Sequence, residues 1–229
     1  MKIAIMQPYF FPYIAYFQLI NEVDTFVFYN DVQFRKNSWF HRNRISPYSS
    51  EEEFIYIGLK LKKHNSKSNI NDITLDDGFV WKKKFLKKLK FSYKFNNQLN
   101  SIHNYLEDIL RNDVLTLSEF NIKTLKYVSN LLNIKDKVFI NSNELGNSIY
   151  SGVERIVHTC KLLEADSYLN LIGGRDLYDK DYFSNNDIEL KFLETKESPL
   201  FNSYYSILDL LLKNKKETAV NHLKEFLIT

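Results

Sequence analysis

Cysteine, glycine and proline are scarce in this chain, and each scarcity excludes a class of protein. A single cysteine, Cys160, among 229 residues cannot form an internal disulfide, which excludes the disulfide-stapled scaffolds of small secreted proteins. Six glycines and four prolines are too few for a collagen-like or low-complexity chain. Since 44% of the residues are hydrophobic, the chain is able to bury a substantial core.

Long apolar runs, metal-ligand spacings and a leader segment are also missing. No stretch approaches the roughly 18 apolar residues that span a bilayer, and no charged and then apolar segment precedes the first strand. We therefore expect a cytoplasmic protein without a membrane span. The five histidines, at positions 41, 64, 103, 158 and 222, lie far apart and lack C-x-x-C or H-E-x-x-H spacing, so no metal site is predicted.

An excess of one charge is absent as well. The 31 lysines and arginines stand against 28 acidic residues, and the resulting net charge of +3 does not favour nucleic acid as a partner. The densest basic segment, 81–90, has apolar residues at 81, 85, 86 and 89 and lysines on the opposite side. This spacing predicts an amphipathic helix whose lysine face is solvated.

The chain contains an alternation of short strands and helices. Strands are predicted at 2–6, 24–29, 54–57, 137–140, 167–170 and 188–193, the last of them taken as the final strand. Helices are predicted at 13–21, 81–89, 101–112, with Ser101 as its cap, 117–132, 152–163 and 177–183. The alternation predicts an α/β, Rossmann-like fold: a mostly parallel sheet flanked by helices, in a single domain over 1–229. The successive helices predict a mainly helical insertion at about 79–133.

Polar residues follow several of the predicted strands. Gln7 follows the first strand, Asp31 lies just beyond the second, and Asn141 and Asn170 end two later strands. Because ligands of open α/β sheets bind outside the carboxyl ends of the strands, we expect these residues on one rim. Together with His41 they are predicted to line a single pocket. The aromatic residues that follow Gln7 either face this rim or fill the top of the core.

The segment from Asp31 to Ser50 is the most polar part of the chain and has no helical or alternating period, which predicts a loop. Its basic and aromatic residues are Arg35, Lys36, Trp39, His41, Arg42 and Arg44. Guanidinium groups bind phosphates, a tryptophan ring stacks on a base or a sugar, and histidine exchanges protons near neutral pH. The alternative interpretation is a solvated basic loop with Trp39 in the core.

Three further features have two interpretations each. Gly173-Gly174 before a predicted helix either leaves amides free for an anion or forms a turn that needs positive φ. Lys60, after the strand at 54–57, either contacts a phosphate or blunts a sheet edge. Cys160 lies on the apolar face of its helix, which favours a small buried hydrophobe over a nucleophile.

Four segments carry a resemblance to a known family. IAIMQPYFFPYIAYFQLINEVDTFVFYNDVQF, SWFHRNRI, IVHTCKLLEADSYLN and LIGGRDLY resemble, in this order along nearly the whole chain, the WbqC-like bacterial family. The resemblance implies a role in surface-polysaccharide (O-antigen) biosynthesis and, by association with carrier-protein genes, transfer of an acyl or aminoacyl group to a sugar amine. More distantly, the opening resembles the G-x-F-x-P-x-H-x-G-H motif of nucleotidyltransferases. Ile14 and Tyr16 fall near the places of its two histidines and lack their chemistry.

These observations predict an N-acyl or N-aminoacyl transferase that acts on a nucleotide-linked amino sugar. An activated donor, a carrier-protein or coenzyme A thioester, is expected, and no bound cofactor. His41 or Asp31 is the predicted base, and Asn43 and Gln7 are the predicted oxyanion donors. The remaining predicted substrate contacts are Tyr9, Trp39, Arg42, Arg44, Lys60, Asn141, Ser142, Asn170, Gly173, Gly174 and Arg175. A nucleotide-sugar glycosyltransferase and a non-enzymatic carbohydrate-assembly accessory protein are the alternatives.

Overall fold

The computed structural model describes residues 1–48, 52–94, 96–111, 115–199, 202 and 204–229. The strands in these ranges are β1 (Lys2–Met6), β2 (Thr25–Phe28), β3 (Arg42–Ile45), β4 (Ile55–Gly58), β5 (Val138–Asn141), β6 (Ser167–Leu171), β7 (Glu189–Thr195) and β8 (Phe226–Ile228). The helices are α1 (Ile14–Glu22), α2 (Phe79–Ser92), α3 (Asn97–Arg111), α4 (Leu117–Leu131), α5 (Gly152–Leu162), α6 (Lys180–Ser184), α7 (Ile207–Lys213) and α8 (Lys216–His222). None of the described helices is long and apolar enough to cross a membrane.

Six strands form one mixed sheet in the order β5-β2-β1-β6-β7-β8. The first five strands are parallel, and β8 runs antiparallel to β7. When the β3–β4 hairpin is set aside and the six strands are numbered along the chain, this order reads 3-2-1-4-5-6, the order of dinucleotide-binding doubly wound folds. The predicted Rossmann-like α/β fold is confirmed. The order reverses between β1 and β6, so the crevice for a ligand lies at the carboxyl ends of these two strands.

Alternation of side chains divides the sheet between two apolar layers. In β1, Ala4 packs into one layer, and Ile3 and Ile5 pack into the other. The first layer takes in buried side chains of α2, α3 and α4, and the second those of α5 and α6, where Cys160 is fully buried. Phe10 and the residue after it are also in the first layer, so these aromatics fill the core.

β3 lies within the segment that was predicted to be a loop, and it forms a hairpin with β4, which matches the strand predicted at 54–57. Arg42 pairs with Gly58, and Arg44 pairs with Tyr56. Asn43 and Ile45, which lie on the same face of β3, are buried, and the two arginines on the other face are half-buried. The strand escapes prediction because it has only four residues and a buried asparagine stands where an apolar residue would reveal the period. Positions 49 and 50 of the predicted loop lie outside the described residues.

Three other predictions are wrong in detail. The strand at 188–193 is not the last, because α7, α8 and β8 follow it. Ser101 does not cap α3; the helix begins at Asn97, and the Asn96 side chain accepts a hydrogen bond from the Leu99 amide at 2.7 Å. The helix expected at 177–183 is the shorter α6, which follows a 3-10 turn over Ile172–Leu177.

Candidate active site

The loop after β1 is fixed by side-chain amides from two distant segments. Asn43 Nδ2 donates to the carbonyl oxygens of Phe10 and Phe11, at 3.2 and 2.8 Å. Asn121 Nδ2 donates to the carbonyl oxygen of Pro8 at 2.8 Å. Both asparagines are buried, so each bond replaces solvation that the loop backbone has lost. The amide of Asn43, a predicted oxyanion donor, is therefore engaged in holding this loop.

The same loop contains backbone strain. Phe11 has φ of 41°, in the left-handed region that a bulky side chain rarely adopts. Its carbonyl oxygen also accepts a hydrogen bond from Ser206 Oγ at 2.8 Å. Such strain costs about 1–3 kcal/mol and persists where the surrounding structure enforces it, often beside functional groups.

Gln7 is presented at the carboxyl end of β1 by two tyrosines. The Tyr16 hydroxyl donates to the backbone oxygen of Gln7, and the Tyr9 hydroxyl donates to Gln7 Oε1, both at 2.9 Å. These bonds orient the amide. In the part of the chain that the structure describes, Gln7 Nε2 has no acceptor, so it is available to a ligand.

Asn170 and Tyr178 form the opposite wall of the crevice, at the end of β6. Asn170 Oδ1 accepts a hydrogen bond from the Leu171 amide at 2.8 Å. Burial raises the pKa of Tyr178, and its bond with the Asn170 side chain acts in the opposite direction. A Cβ atom on Gly174 would lie 2.9 Å from Asn170 Nδ2 and 3.2 Å from the Tyr178 ring. Close approach therefore explains this glycine, and neither Gly173 nor Gly174 is among the residues with positive φ.

The two walls are close enough to influence each other. Burial raises the pKa of Tyr9, the positive charge of Arg35 lowers it, and the neighbouring Tyr178 raises it further. The ends of β1 and β6 thus present two amides, from Gln7 and Asn170, and two phenol rings, while Arg35, whose charge acts on Tyr9, is exposed. Amides, aromatic rings and a guanidinium are the groups that bind sugars, bases and phosphates.

A buried ion pair organises the adjacent end of β2. Asp31 Oδ2 lies 2.5 Å from Arg155 Nη2 on α5, and the side chains are only 13% and 7% exposed. The other Asp31 oxygen accepts a hydrogen bond from the Ser142 hydroxyl, and Arg155 Nε donates to Asn147 at 3.0 Å. Burial opposes the charge of Arg155, but the Asp31 carboxylate raises its pKa above the usual value. With both oxygens engaged, Asp31 is better suited to fixing the strand end than to accepting a proton.

Arg155 was missed by the sequence analysis. It lies among the buried positions of α5, beside Ile156 and Val157, where the helical period calls for an apolar residue. A charged side chain at such a position is the signal that a buried partner exists, although the sequence does not say which carboxylate it is.

His41 lines a cavity of about 470 Å³. The lining residues are Phe34, Lys36, His41, Leu59, Lys60, Leu61, His64 and Ser66. His41 Nδ1 is buried and has no hydrogen-bond partner among the described residues. Burial lowers the pKa of His41, and the charges of Arg42 and His64 lower it further. The imidazole is therefore uncharged at neutral pH and able to accept a proton.

The remaining cationic residues predicted as ligand contacts lie on the hairpin and at the far sheet edge. Arg42 stacks 4.7 Å from the Tyr56 ring, and Arg44 lies 5.0 Å from the Trp39 ring. No carboxylate among the described residues lies within 4.0 Å of either guanidinium. Lys60 lines the cavity of His41 and is paired with Asp76 at 3.0 Å. Arg175 lies apart from these residues, where it binds Thr229 and stacks on Phe192 beside the β7–β8 edge.

Asn141 lines a second cavity, of about 400 Å³, at the ends of β2 and β5, and Ser142 is buried beside it in the chain. Asn141 Nδ2 donates to Glu144 at 2.7 Å, and the Ser142 hydroxyl is shared between Asn30 and Asp31. His41 and Asn141 thus line different cavities, although a single pocket was expected.

Cys160 lies outside all of these features. Its side chain is fully buried, and burial raises the pKa of its thiol to about 12. This environment favours the interpretation as a small buried hydrophobe, because the thiolate is the nucleophilic form. No three His, Cys, Asp or Glu side chains group to hold a metal ion within the described ranges.

Comparison with known proteins gives a family match over the region that contains this site. The model of a family described as the WbqC-like protein family matches residues 7–221. The uncharacterized protein Rv1507c of Mycobacterium tuberculosis is 28% identical over 195 residues, which cover 84% of this chain and 82% of that protein. No solved structure matches the chain.

Proposed function

We propose, from the premise that this chain belongs to the WbqC-like protein family, that it transfers an acyl or aminoacyl group to the amine of a nucleotide-linked amino sugar. The biosynthesis of a bacterial surface polysaccharide is the proposed setting. The single observation that carries the proposal is the crevice between the ends of β1 and β6. Doubly wound sheets bind nucleotides at this reversal of strand order, and here each wall supplies an amide and a phenol ring.

The crevice has suitable groups for a nucleotide diphosphate. Tyr9 and Tyr178 supply ring faces for a base or a sugar, and Arg35 supplies an exposed guanidinium for the phosphates. We assign the specific hydrogen bonds to the side chains of Gln7 and Asn170. Arg42, held without a carboxylate partner on the hairpin, is a further proposed phosphate contact.

The proposed reaction is attack of the sugar amine on the carbonyl carbon of a thioester. The C–N bond forms, the C–S bond breaks, and the products are an amide and a thiol. His41 takes the proton of the amine and returns it to the departing thiolate, a role that suits an imidazole of lowered pKa. Gln7 Nε2 is the proposed donor to the oxyanion of the tetrahedral intermediate. Carrier-protein and coenzyme A thioesters are both consistent with this chemistry.

The test is a product analysis with a dTDP-linked 4-amino sugar and an acyl thioester. We expect the nucleotide sugar to gain the mass of the acyl group while the nucleotide stays attached, with one free thiol released per amide formed. The matched control is the same sugar with a hydroxyl in place of its amine, a dTDP-linked 4-hydroxy sugar, which is expected to remain unmodified.

Other products would contradict the proposal in distinguishable ways. Release of dTDP with transfer of the sugar would identify a glycosyltransferase. If the nucleotide sugar binds tightly and none of the acyl donors supports turnover, the protein is an accessory protein. Absence of both binding and turnover would remove nucleotide sugars from consideration.

A further inference from the structure

The cavity beside Asn141 is lined mostly by polar residues. Its residues come from the ends of β2 and β5, the segment between β4 and α2, the loop before α4 and the first turns of α4: Asn30, Asn71, Thr116, Ser118, Glu119, Ile122, Lys123, Asn141 and Asn143. Its volume of about 400 Å³ lies in the range of small-molecule sites, which are mostly apolar. Only Ile122 is apolar here, so the lining calls for a ligand with many polar groups.

The start of α4 is not available as an anion site. Its first four N–H groups already have acceptors: Leu117 and Ser118 donate to the carbonyl oxygens of Ile73 and Ile70, and Glu119 and Phe120 donate to Thr116. A phosphate at a helix start needs such groups to be free. The lining also contains one cation, Lys123, and one carboxylate, Glu119, so its formal charge is zero. Together these features favour a neutral ligand.

Unused hydrogen-bonding groups remain on the side chains. The Ser118 hydroxyl is buried, with 1% exposure, and has no partner among the described residues. A buried hydroxyl without a partner is costly, which points to a group that binds it. Asn143 uses its Oδ1 on Asn30 and keeps Nδ2, while Asn141 uses Nδ2 on Glu144 and keeps Oδ1. The cavity thus offers donors and acceptors side by side.

We infer that this cavity binds the ring of a neutral polyhydroxylated ligand, a pyranose. Each sugar hydroxyl both donates and accepts a hydrogen bond, which matches the mixed donors and acceptors of the lining, and Ile122 offers an apolar contact for a C–H face. The inference rests on the proposed function for its natural ligand, the sugar of the nucleotide sugar; the proposed acylation then requires the amine of that ring to project out of this cavity toward His41 and Gln7. The midpoint between β2 and β5 lies two strand spacings, about 10 Å, from that between β1 and β6. A diphosphate linker bridges such a distance.

The experiment follows backbone amide signals by NMR during titration with three separate probes. These are free N-acetylglucosamine, inorganic phosphate and the dTDP-linked 4-amino sugar. We expect both sugars to shift the amide signals of Asn71, Ser118 and Asn143, and phosphate to leave these signals unchanged.

Variants separate a ligand contact from a structural role. Ser118→Ala is expected to weaken binding of free N-acetylglucosamine by roughly 2–10-fold, because one hydrogen bond is lost. Ser129→Ala is the matched control on the same helix: it is also buried, but its hydroxyl bonds to Leu125, and it is expected to leave sugar binding unchanged. Equal weakening in both variants would overturn the assignment.

The outcomes distinguish failure of this inference from failure of the proposed function. If the nucleotide sugar binds and is acylated without shifting Asn71, Ser118 and Asn143, the sugar ring lies elsewhere and the inference is overturned. If free sugar shifts these signals and the nucleotide sugar does not bind, the cavity assignment stands and the proposed substrate fails. Shifts by phosphate alone would overturn the assignment as well.

Discussion

Proton transfer in the proposed reaction depends on the imidazole of His41. His41→Asn retains a hydrogen-bonding side chain of similar size but cannot shuttle a proton at neutral pH. We expect turnover to fall by about two to four orders of magnitude while the affinity for the nucleotide sugar is unchanged. Steady-state turnover and calorimetric binding, measured on the same preparation, check this expectation. His103→Asn on α3 is the control and should retain full turnover.

Arg42 should show the reverse pattern. Its guanidinium lacks a carboxylate partner among the described residues, so a phosphate would supply a charge-assisted bond. Arg42→Ala is expected to weaken nucleotide-sugar binding by about 10- to 100-fold and to spare turnover at saturating substrate. Unchanged binding would remove Arg42 from the site, and full turnover in His41→Asn would remove histidine from the chemistry.

The lowered pKa of His41 gives a prediction for pH. Burial, Arg42 and His64 keep the folded-state pKa below the unfolded value of about 6.5. Well above pH 6.5 neither state binds the proton, so His41 adds no pH dependence to stability there. As the pH falls below 6.5 the unfolded state binds the proton first, and the contribution of His41 to stability decreases until the folded pKa is passed.

The measurement is an NMR titration of the His41 ring signals together with urea unfolding at pH 7.5 and 5.5. We expect a ring midpoint below 6.5 and a loss of stability at pH 5.5 that is smaller in His41→Gln than in the original chain. A ring midpoint at or above 6.5 would show that neighbouring charges do not act on this imidazole as the structure indicates.

At the scale of elements, the lysine-rich helix α2 is expected to contribute little to ligand binding. Lys83 and Lys87 are exposed, and each lies over an aromatic ring of its own helix, Phe79 and Phe91, at 5.9 and 5.5 Å. Replacing Lys83 and Lys87 by glutamate should change nucleotide-sugar affinity less than twofold and stability by about 0.5 kcal/mol or less.

A neighbouring lysine provides the contrast. Lys82 Nζ donates to the carbonyl oxygen of Leu110 near the end of α3, at 2.8 Å. Lys82→Glu should therefore lower the urea midpoint, because it removes this bond and places a negative charge at the helix C-terminus. A large, salt-sensitive loss of affinity in the Lys83/Lys87 double variant would instead show that α2 binds phosphate.

The elements that the sequence predicts well are those whose apolar pattern is complete. β6 is buried along its length and β1 at its three central residues, and the helices from α2 to α5 bury apolar residues at helical spacing. β3 and β8 fail for a physical reason: each is three or four residues long, and pairing with a neighbouring strand determines it more than its own side chains do.

In the candidate site, the sequence predicts where some residues lie but not which groups they bind. Position after a buried strand is enough to place Gln7 and Asn170 at one edge of the sheet, because parallel strands end together. The partners of a side chain are not readable from position. Asp31 is predicted as a base, and only the folded chain brings Arg155 against it; Asn43 is predicted as an oxyanion donor, and only the fold brings the Phe10 carbonyl to its amide.

For the whole molecule we expect one unfolding transition. Phe10, after β1, packs at ring distances of 6.2 Å against both Phe85 of α2 and Phe120 of α4, so the helical insertion shares its apolar layer with the sheet. Differential scanning calorimetry should give equal calorimetric and van't Hoff enthalpies. Phe10→Leu should shift this transition to lower temperature as a unit. A separate transition for the insertion would show that it is a domain of its own.

The rate of thiol labelling at Cys160 measures how often the layer of α5 separates from the sheet. Because its sulfur is buried beneath α5 and no other thiol competes, a thiol-reactive reagent modifies it only in molecules whose α5 layer has separated from the sheet. When the reagent reacts slowly compared with reclosing, the labelling rate is proportional to the fraction of open molecules. A ligand that binds only the closed form slows labelling by the factor 1 + [L]/Kd, so protection of one sulfur atom reports occupancy on the opposite edge of the sheet.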